Sequence, residues 1–364
     1  MIYSRKRFRN DRKRFRILKP GMKDTTLKEL AETLGISVTT VSKALKGYAD
    51  VSPKTREAVL KLAEELHFTP NAFAVNLRKQ ESKTIGVIIP EIVHHFFSKV
   101  LNGILDEAAK HGYLAIVLQS GESVELERKQ VDLLINKRVD GILISLSNDS
   151  NDEAHLKEII RRNIPLVQFD KISKLIPSTK VVINDRQAAF EATEHLILKG
   201  CRKIAHIRGP VNPQGAIDRW MGYKLALEKH GITYNPKLVY TCTHVTFEEG
   251  REFAKQILTD HPDVEGIFAI TDLVAVGVIS YFNENGFKVP ENVALIGFSN
   301  WFMSQVITPQ LSSIDQPGEE MGALAFNCLL EEIEARKANK PYDLKTISLT
   351  TSVVERQSSQ FKGK

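Results

Sequence analysis

The chain has 364 residues, of which 42% are hydrophobic, with 50 Lys/Arg against 44 Asp/Glu for a net charge of +6, and 3 cysteines. That length and apolar content suffice for the cores of two or three domains. The widely separated Cys201, Cys242 and Cys328 exclude a disulfide scaffold and point to reduced thiols in the cytoplasm, and no apolar run reaches the ~18 residues of a membrane-spanning helix, so no membrane partner is expected.

The charge is unevenly placed. Residues 1–84 carry 19 Lys/Arg against 9 Asp/Glu, and the remainder carries 31 against 35, so a basic head precedes a mildly acidic body. A head of that kind suits a polyanionic partner. The opening stretch RKRFRNDRKRFRILKPG has no apolar segment behind it and is no secretory signal. Residues 1–22 read either as a disordered DNA-binding arm or as an extension upstream of a natural start at Met22. The organised pattern beginning straight after Met22 favours the extension.

A helix-turn-helix is expected over residues 23–69. In TLKELAETLG, Thr26 and Glu29 have capping-box spacing, and Leu27, Leu30, Ala31 and Leu34 form one helical face closed by Gly35. Ser37 caps the next helix, SVTTVSKALKG, whose Val41, Ala44 and Leu45 pack inward. Its outward face is unusual for a surface helix: Val38, Thr39, Ser42, Lys43 and Lys46. Short hydroxyl and methyl side chains let a helix approach base edges in the major groove, and lysines reach guanine acceptors or phosphates. Ser52 caps a third helix with Pro53 at its first position and Val59, Leu62, Ala63 and Leu66 as its stripe. Residues 70–83 follow as a hinge or linker. Residues 71–77 are long enough for two turns, which are marginal alone.

From residue 84 to 357 the chain alternates short apolar runs with helical patterns: IGVIIP, LAIVLQ, GILIS, PLVQFD, VVIN, KIAHIRG, LVYTCT, GIFAI and VALIGFS. Such alternation calls for parallel sheets with crossover helices. About ten strands are divided most economically between two sheets with a ligand cleft at their strand C-termini. The expected fold is therefore α/β, a helix-turn-helix head on a two-lobed body, with residues 358–364 as a tail.

TLKELAETLGISVTTVSKALKG, VSPKTREAVLKLAEELHFTPNAFAVNLR and SKTIGVIIP, continued by VDGILIS, GCRKIAHIRGP, DRWMGY, VPENVALIGFSN and LSSIDQP, resemble in order and spacing the lactose-repressor (LacI/GalR) family of bacterial transcription regulators. The resemblance covers residues 25–357. It implies a periplasmic-binding-protein-like body whose lobes are joined by crossings near 205, 312 and 340, giving lobe 1 as 84–205 and 313–340 and lobe 2 as 206–312 and 341–357. It implies that Ser37, Val38, Thr39, Thr40, Ser42 and Lys43 meet DNA, that Thr55 and Asn71 meet phosphates, and that Ala74 and Leu77 belong to a hinge helix wedged into the minor groove. Lys46 and the helix caps Thr26 and Ser52 join that DNA-facing set. The family usually has Arg at Lys43 and Asn at Lys46; lysine is a point charge and no planar fork, so this chain's operator differs from the common one.

The strand ends offer Phe96, Phe97, Asp170, Asp185, Arg219, Asp272, Ser299, Asn300, Trp301 and Gln316 as effector contacts. Carboxylates, amides and an arginine pair with vicinal hydroxyls, and an aromatic face covers a sugar's C–H side. The resemblance places Arg219 and Asp272 at ligand positions. Trp301 reads equally as pocket or packing, Asp185 as ligand contact or helix cap, and Trp220 as core. The family's GFDD motif appears here with Ser299 and Asn300, a lost carboxylate that alters the effector. No Walker A loop, G-x-G-x-x-G, H-E-x-x-H or G-x-S-x-G is present, and the adjacent His94 and His95 are poorly placed to share a metal. Neither enzyme chemistry nor a cofactor is expected.

The reading is a homodimeric regulator of a pseudo-palindromic operator, controlled by a small molecule whose class, from the donor set, is expected to be carbohydrate. Two alternatives are a transport-type binding receptor, which has no use for the head, and a family regulator answering to a partner protein. If the basic head neutralises roughly 6–10 phosphates per dimer, a plot of log affinity for DNA against log salt has a slope of about −5 to −9. Filter binding across a salt series measures it, and a slope near zero rules out the nucleic-acid reading.

Overall fold

The computed structural model describes residues 25–68, 81–92, 95–148 and 152–361. The chain divides into two compact units, residues 1–80 and 81–364.

In the first unit, α1 (Leu27–Leu34), α2 (Val38–Leu45) and α3 (Pro53–Glu65) each begin at the hydroxyl cap read from the sequence. Thr26 and Glu29 close a capping box, and Gly35 takes the left-handed conformation that ends α1. Leu30, Ala31, Val41, Ala44, Val51, Val59 and Ala63 form a small core, with Leu27, Leu34, Ile36, Leu45, Leu62 and Phe68 packed on it. Leu66 departs from expectation. It lies one residue beyond α3 and is 42% exposed, while Phe68 covers the core in its place.

The second unit contains two six-stranded sheets. Lobe 1 contains β1 (Thr84–Ile89), α4 (His95–Lys110), β2 (Leu114–Gln119), α5 (Val124–Asn136), β3 (Gly141–Ile144), α6 (Ala154–Arg161), β4 (Leu166–Phe169), β5 (Thr179–Ile183), α11 (Gly318–Lys337) and β11 (Thr346–Leu349). Its strand order is β11-β5-β4-β3-β1-β2, all parallel. Lobe 2 contains α7 (Asp185–Leu198), β6 (Ile204–Arg208), α8 (Gln214–Lys229), β7 (Val239–Thr241), α9 (Phe247–Asp260), β8 (Gly266–Ala269), α10 (Asp272–Glu284), β9 (Ala294–Phe298), β10 (Ser312–Asp315) and β12 (Ser352–Val354). Its order is β12-β10-β9-β8-β6-β7, with only β12 antiparallel. All nine apolar runs quoted from the sequence are strands; the inner strands β3, β4, β8 and β9 are buried along their whole length, as parallel strands covered on both faces are, while the edge strands β2 and β11 are not. Helices α4 and α11 approach so closely that a Cβ on Gly103 would lie 2.1 Å from the Glu319 carbonyl oxygen.

The lobe boundaries need correction. The chain first crosses between Ile183 and Asp185, not near 205: β5 pairs with β4 and β11 of lobe 1, whereas α7 packs on α8 and on the lobe 2 sheet. The second crossing is at Gln316–Pro317, and the third lies between β11 and β12 rather than near 340, because Lys180 N–H bonds to the Lys345 carbonyl and β11 joins β5 in parallel. Lobe 1 is thus 84–183 with 318–349, and lobe 2 is 185–315 with 352–361. Alternation locates a crossover helix but not the sheet to which it returns.

The expected tail is also part of the fold. Ser358 Oγ donates to the Leu295 carbonyl at 2.7 Å and accepts from Ser312 N–H at 2.8 Å, and Ser359 Oγ meets Ser312 Oγ at 2.7 Å. Phe361 is 6% exposed within the main core. Phe361→Ala therefore costs about 3 kcal/mol in a urea melt of the body, whereas a loose tail predicts a change within about 0.5 kcal/mol.

Candidate functional site

Two places carry the chemistry expected from the sequence, one in each unit. In the head, Leu27, Val38, Thr39, Ser42, Lys43, Lys46 and Tyr48 line a shallow surface depression. Five of these are the predicted outward residues of α2, brought together because a helix places i, i+3, i+4 and i+7 on one side. Tyr48, 53% exposed in the turn after α2, was missed; a large aromatic left in water between two helices was the available signal. Lys43 Nζ is bonded to the Asp50 carboxylate, whose hydrogen bond raises the lysine pKa and lowers that of Asp50.

Of the remaining predicted DNA residues, Thr26, Ser37, Thr40, Ser52 and Thr55 lie at the helix starts. Thr26, Ser37 and Ser52 accept from the N–H groups of Glu29, Thr40 and Thr55 at 3.2, 3.0 and 3.1 Å. The hydroxyls of Thr40 and Thr55 also pair with Ser37 and Ser52, each at 2.8 Å. Asn71, Ala74 and Leu77, with the hinge-helix expectation, lie outside the described residues.

In the body, the C-terminal ends of the strands face the cleft between the lobes. Arg219 on α8 donates through Nε to Asp185 Oδ1 at 2.7 Å and through Nη1 to the Ile270 carbonyl at 3.0 Å, and its guanidinium carbon sits 3.6 Å over the Phe298 ring. Asn184 is the cap of α7, which leaves the Asp185 carboxylate at the first helical position for Arg219. Asp170 follows β4 with φ of 57°, and burial raises its carboxyl to about 6 against the pull of Lys171 and Arg219.

A cavity opens between His95 of lobe 1 and Thr271, Asp272, Leu273, Phe298, Ser299 and Trp301 of lobe 2. His95 is not among the residues expected from the sequence to line the cleft. It starts α4 at the end of β1, burial depresses its pKa, and its Nε2 is buried without a hydrogen-bond partner. Phe96 and Phe97, at 3% and 4% exposure, pack into the main core, since each step along α4 turns the side chain by ~100° from the His95 direction. Asn300 has its side-chain amide engaged within lobe 2. Its Nδ2 donates to Asp315 and its Oδ1 accepts from Arg356, both at 2.7 Å, so its amide ties β9 to β10 and the C-terminal segment. Gln316, 2% exposed at the second crossing, accepts from Ser299 Oγ at 2.6 Å and keeps an unpartnered Nε2. Trp220 is half-buried, packed against the main core. Among the described residues no group of His, Cys, Asp and Glu is arranged to hold a metal.

Asp272 is 1% exposed and accepts from Trp301 N–H at 2.6 Å, Ser304 Oγ at 2.9 Å and Ser313 Oγ at 2.6 Å. Burial still prevails over those donors and lifts its pKa to about 6. A carboxyl with a folded pKa above its unfolded value adds stability at low pH that is lost as pH rises through about 6. From this group alone, stability grows by on the order of 2–3 kcal/mol between pH 7 and pH 4. Asp272→Asn removes that contribution, so chemical denaturation of the variant across this window shows a correspondingly smaller gain on acidification. An unchanged profile would mean that Asp272 titrates normally.

A profile for bacterial regulatory proteins of the lacI family matches residues 26–71, and one for periplasmic binding proteins and the sugar binding domain of the LacI family matches residues 82–350. The ribose operon repressor of Halalkalibacterium halodurans is 31% identical over 337 residues, covering 92% of this chain and 97% of that protein. The lac repressor dimer bound to operator and the anti-inducer ONPF shares the fold, with a TM-score of 0.81, 24% identity, and coverage of 93% of this chain and 99% of that one. A LacI family regulator from Enterococcus faecium with bound ribose is 27% identical with a TM-score of 0.67, covering 76% of this chain and 98% of that one. The helix-turn-helix head, the paired parallel sheets and these matches agree: the chain belongs to the LacI family of bacterial transcription regulators, which are regulators rather than enzymes.

Proposed function

We propose that this protein is a homodimeric repressor that binds a pseudo-palindromic operator through the α2 face and is controlled by a polyhydroxylated small molecule, a sugar or sugar derivative, held between the lobes. The observation that carries the effector reading is Arg219, stacked on Phe298 and bonded to Asp185, with Asp170 at the facing strand end. A fixed guanidinium donor and carboxylate acceptors match adjacent hydroxyls, and the aromatic cavity walls match a ring's apolar side. The relative from Enterococcus faecium with bound ribose supports the same ligand class.

On the DNA side, Val38, Thr39, Ser42, Lys43 and Lys46 read base edges, and the capped N-termini of α1, α2 and α3, with Thr26, Ser37, Ser52 and Thr55, meet phosphates. Effector and operator communicate by linkage: a ligand that binds one arrangement of the lobes better shifts DNA affinity by about 1–3 kcal/mol, and DNA shifts ligand affinity equally.

A panel of pentoses and hexoses, titrated with operator selected from random DNA, tests this reading. Arg219→Ala is expected to abolish the effect of the active sugar on operator binding while leaving sugar-free affinity within about twofold, less than 0.5 kcal/mol. Equal loss of sugar response and sugar-free affinity would instead make Arg219 a support of the fold.

A further inference from the structure

Lobe 2 contains a second concentration of positive charge that the cleft does not use. Arg208, the last residue of β6, is 8% exposed, and its Nε is buried without a hydrogen-bond partner. Its guanidinium carbon lies 5.0 Å from the centre of the Trp220 ring. Lys224, one turn along α8, brings Nζ to 4.7 Å from the same ring and to 5.0 Å from that of Tyr234. The indole Nε1 of Trp220 is also buried and unpartnered.

Among the described residues, neither Arg208 nor Lys224 has a carboxylate within ion-pair distance, although Arg219 and Lys229 on the same helix both do. Guanidinium stays charged at all relevant pH values, so Arg208 has no means of relieving its burial by losing a proton. Aromatic faces attract both cations but supply no acceptor for their N–H groups. Two cations beside the Trp220 indole, whose own N–H is unpartnered, with no carboxylate paired to either cation, supply the donors that recognise an oxyanion. None of these three residues lines the His95–Trp301 cavity or the depression around Asp185 and Asp218 at the first crossing.

We propose that Arg208, Trp220 and Lys224 form a binding site for a small oxyanion, a phosphate or carboxylate group, separate from the inter-lobe cleft. Because α8 carries Arg219 as well as Trp220 and Lys224, an anion seated there biases the helix that supplies the cleft with its arginine. The site does not depend on the effector being a sugar.

The chain has two tryptophans, so Trp301→Phe leaves Trp220 as the sole indole reporter. Full-length Trp301→Phe protein is titrated with inorganic phosphate and, separately, with acetate, against sodium chloride at matched ionic strength. Saturable change in Trp220 emission by either anion, absent with chloride and abolished by adding Arg208→Gln, is the expected result, and the anion that saturates at the lower concentration identifies the class. Emission that follows ionic strength alone, or saturation that survives Arg208→Gln, overturns the proposal and leaves Arg208 as a stacked packing residue. Should Arg208→Gln fail to fold, Lys224→Gln in the same background decides: weakened saturation upholds the site, and an unchanged curve overturns it.

Discussion

The lobe 2 wall of the cleft depends on the buried carboxylate of Asp272. Its oxygens collect the backbone of Trp301 and the hydroxyls of Ser304 and Ser313, joining the start of α10, the strand β10 and the turn after β9 at one point. Those donors matter because a charged group out of water is tolerated only when its acceptor sites are filled. The turn it holds is conformationally demanding. Ser299 and Asn300 adopt φ of 99° and 47°, values that non-glycine residues avoid unless their surroundings enforce them. Gln316, Asp315 and Arg356 supply the rest of that enforcement through the two side chains. Two uncharged residues stand where the family's motif has carboxylates, so Asp272 faces no like charge from this turn.

The parts of this architecture that were legible in the sequence are those set by short-range rules. Thr26, Ser37 and Ser52 announce helix starts, and fully buried parallel strands announce themselves as continuous apolar runs. The unread parts depend on partners distant in sequence. Whether α7 follows β5 back to the first sheet or leaves for the second is decided by its packing on α8, thirty residues away by number but adjacent in space. The polar run containing Ser358 and Ser359 looks like a solvated tail because the groups it satisfies, on Leu295 and Ser312, are invisible locally. At the cleft, strand-end positions singled out Asp170, Asp272 and Trp301 as candidates, and the structure places Asp272 and Trp301 on the cavity wall. The same rule singled out Phe96 and Phe97, which are buried, and not His95, which lines the cavity, since a strand end does not reveal the phase of the helix that follows.

The head shows one class of residue used in two ways. Ser and Thr hydroxyls that cap helices leave the helix N-termini organised toward anions, while Thr39 and Ser42, one face around, remain available for base edges. Lys43 is not idle in the absence of DNA: it pairs with Asp50 across the turn. Both partners are substantially exposed, at 43% and 55%, and pairs of that kind contribute little net stability. Lys43 can therefore leave Asp50 for a base or a phosphate at small cost, and the carboxylate left behind repels phosphate that approaches from its side. On the proposed reading, a lysine held by an acid on the α2 face discriminates among contacts that a free lysine would accept.

The proposed effector groups are also divided between the lobes, which on that reading couples ligand binding to lobe geometry. Asp170 belongs to lobe 1, and Asp185 begins α7 just after the first crossing, with Arg219 bonded to it from the neighbouring helix. A small rotation about residue 184 changes the separation of Asp170 from the Asp185–Arg219 pair while leaving each lobe's sheet intact. On the proposed reading, a hydroxylated ligand bonded to both sides stabilises one such separation over others, and only that difference in affinity performs regulatory work. Tight binding to both arrangements would move nothing. Arg219 suits the task because Phe298 and the Ile270 carbonyl fix its plane within lobe 2, so the distance that a ligand senses is the distance between lobes and not the swing of a loose side chain.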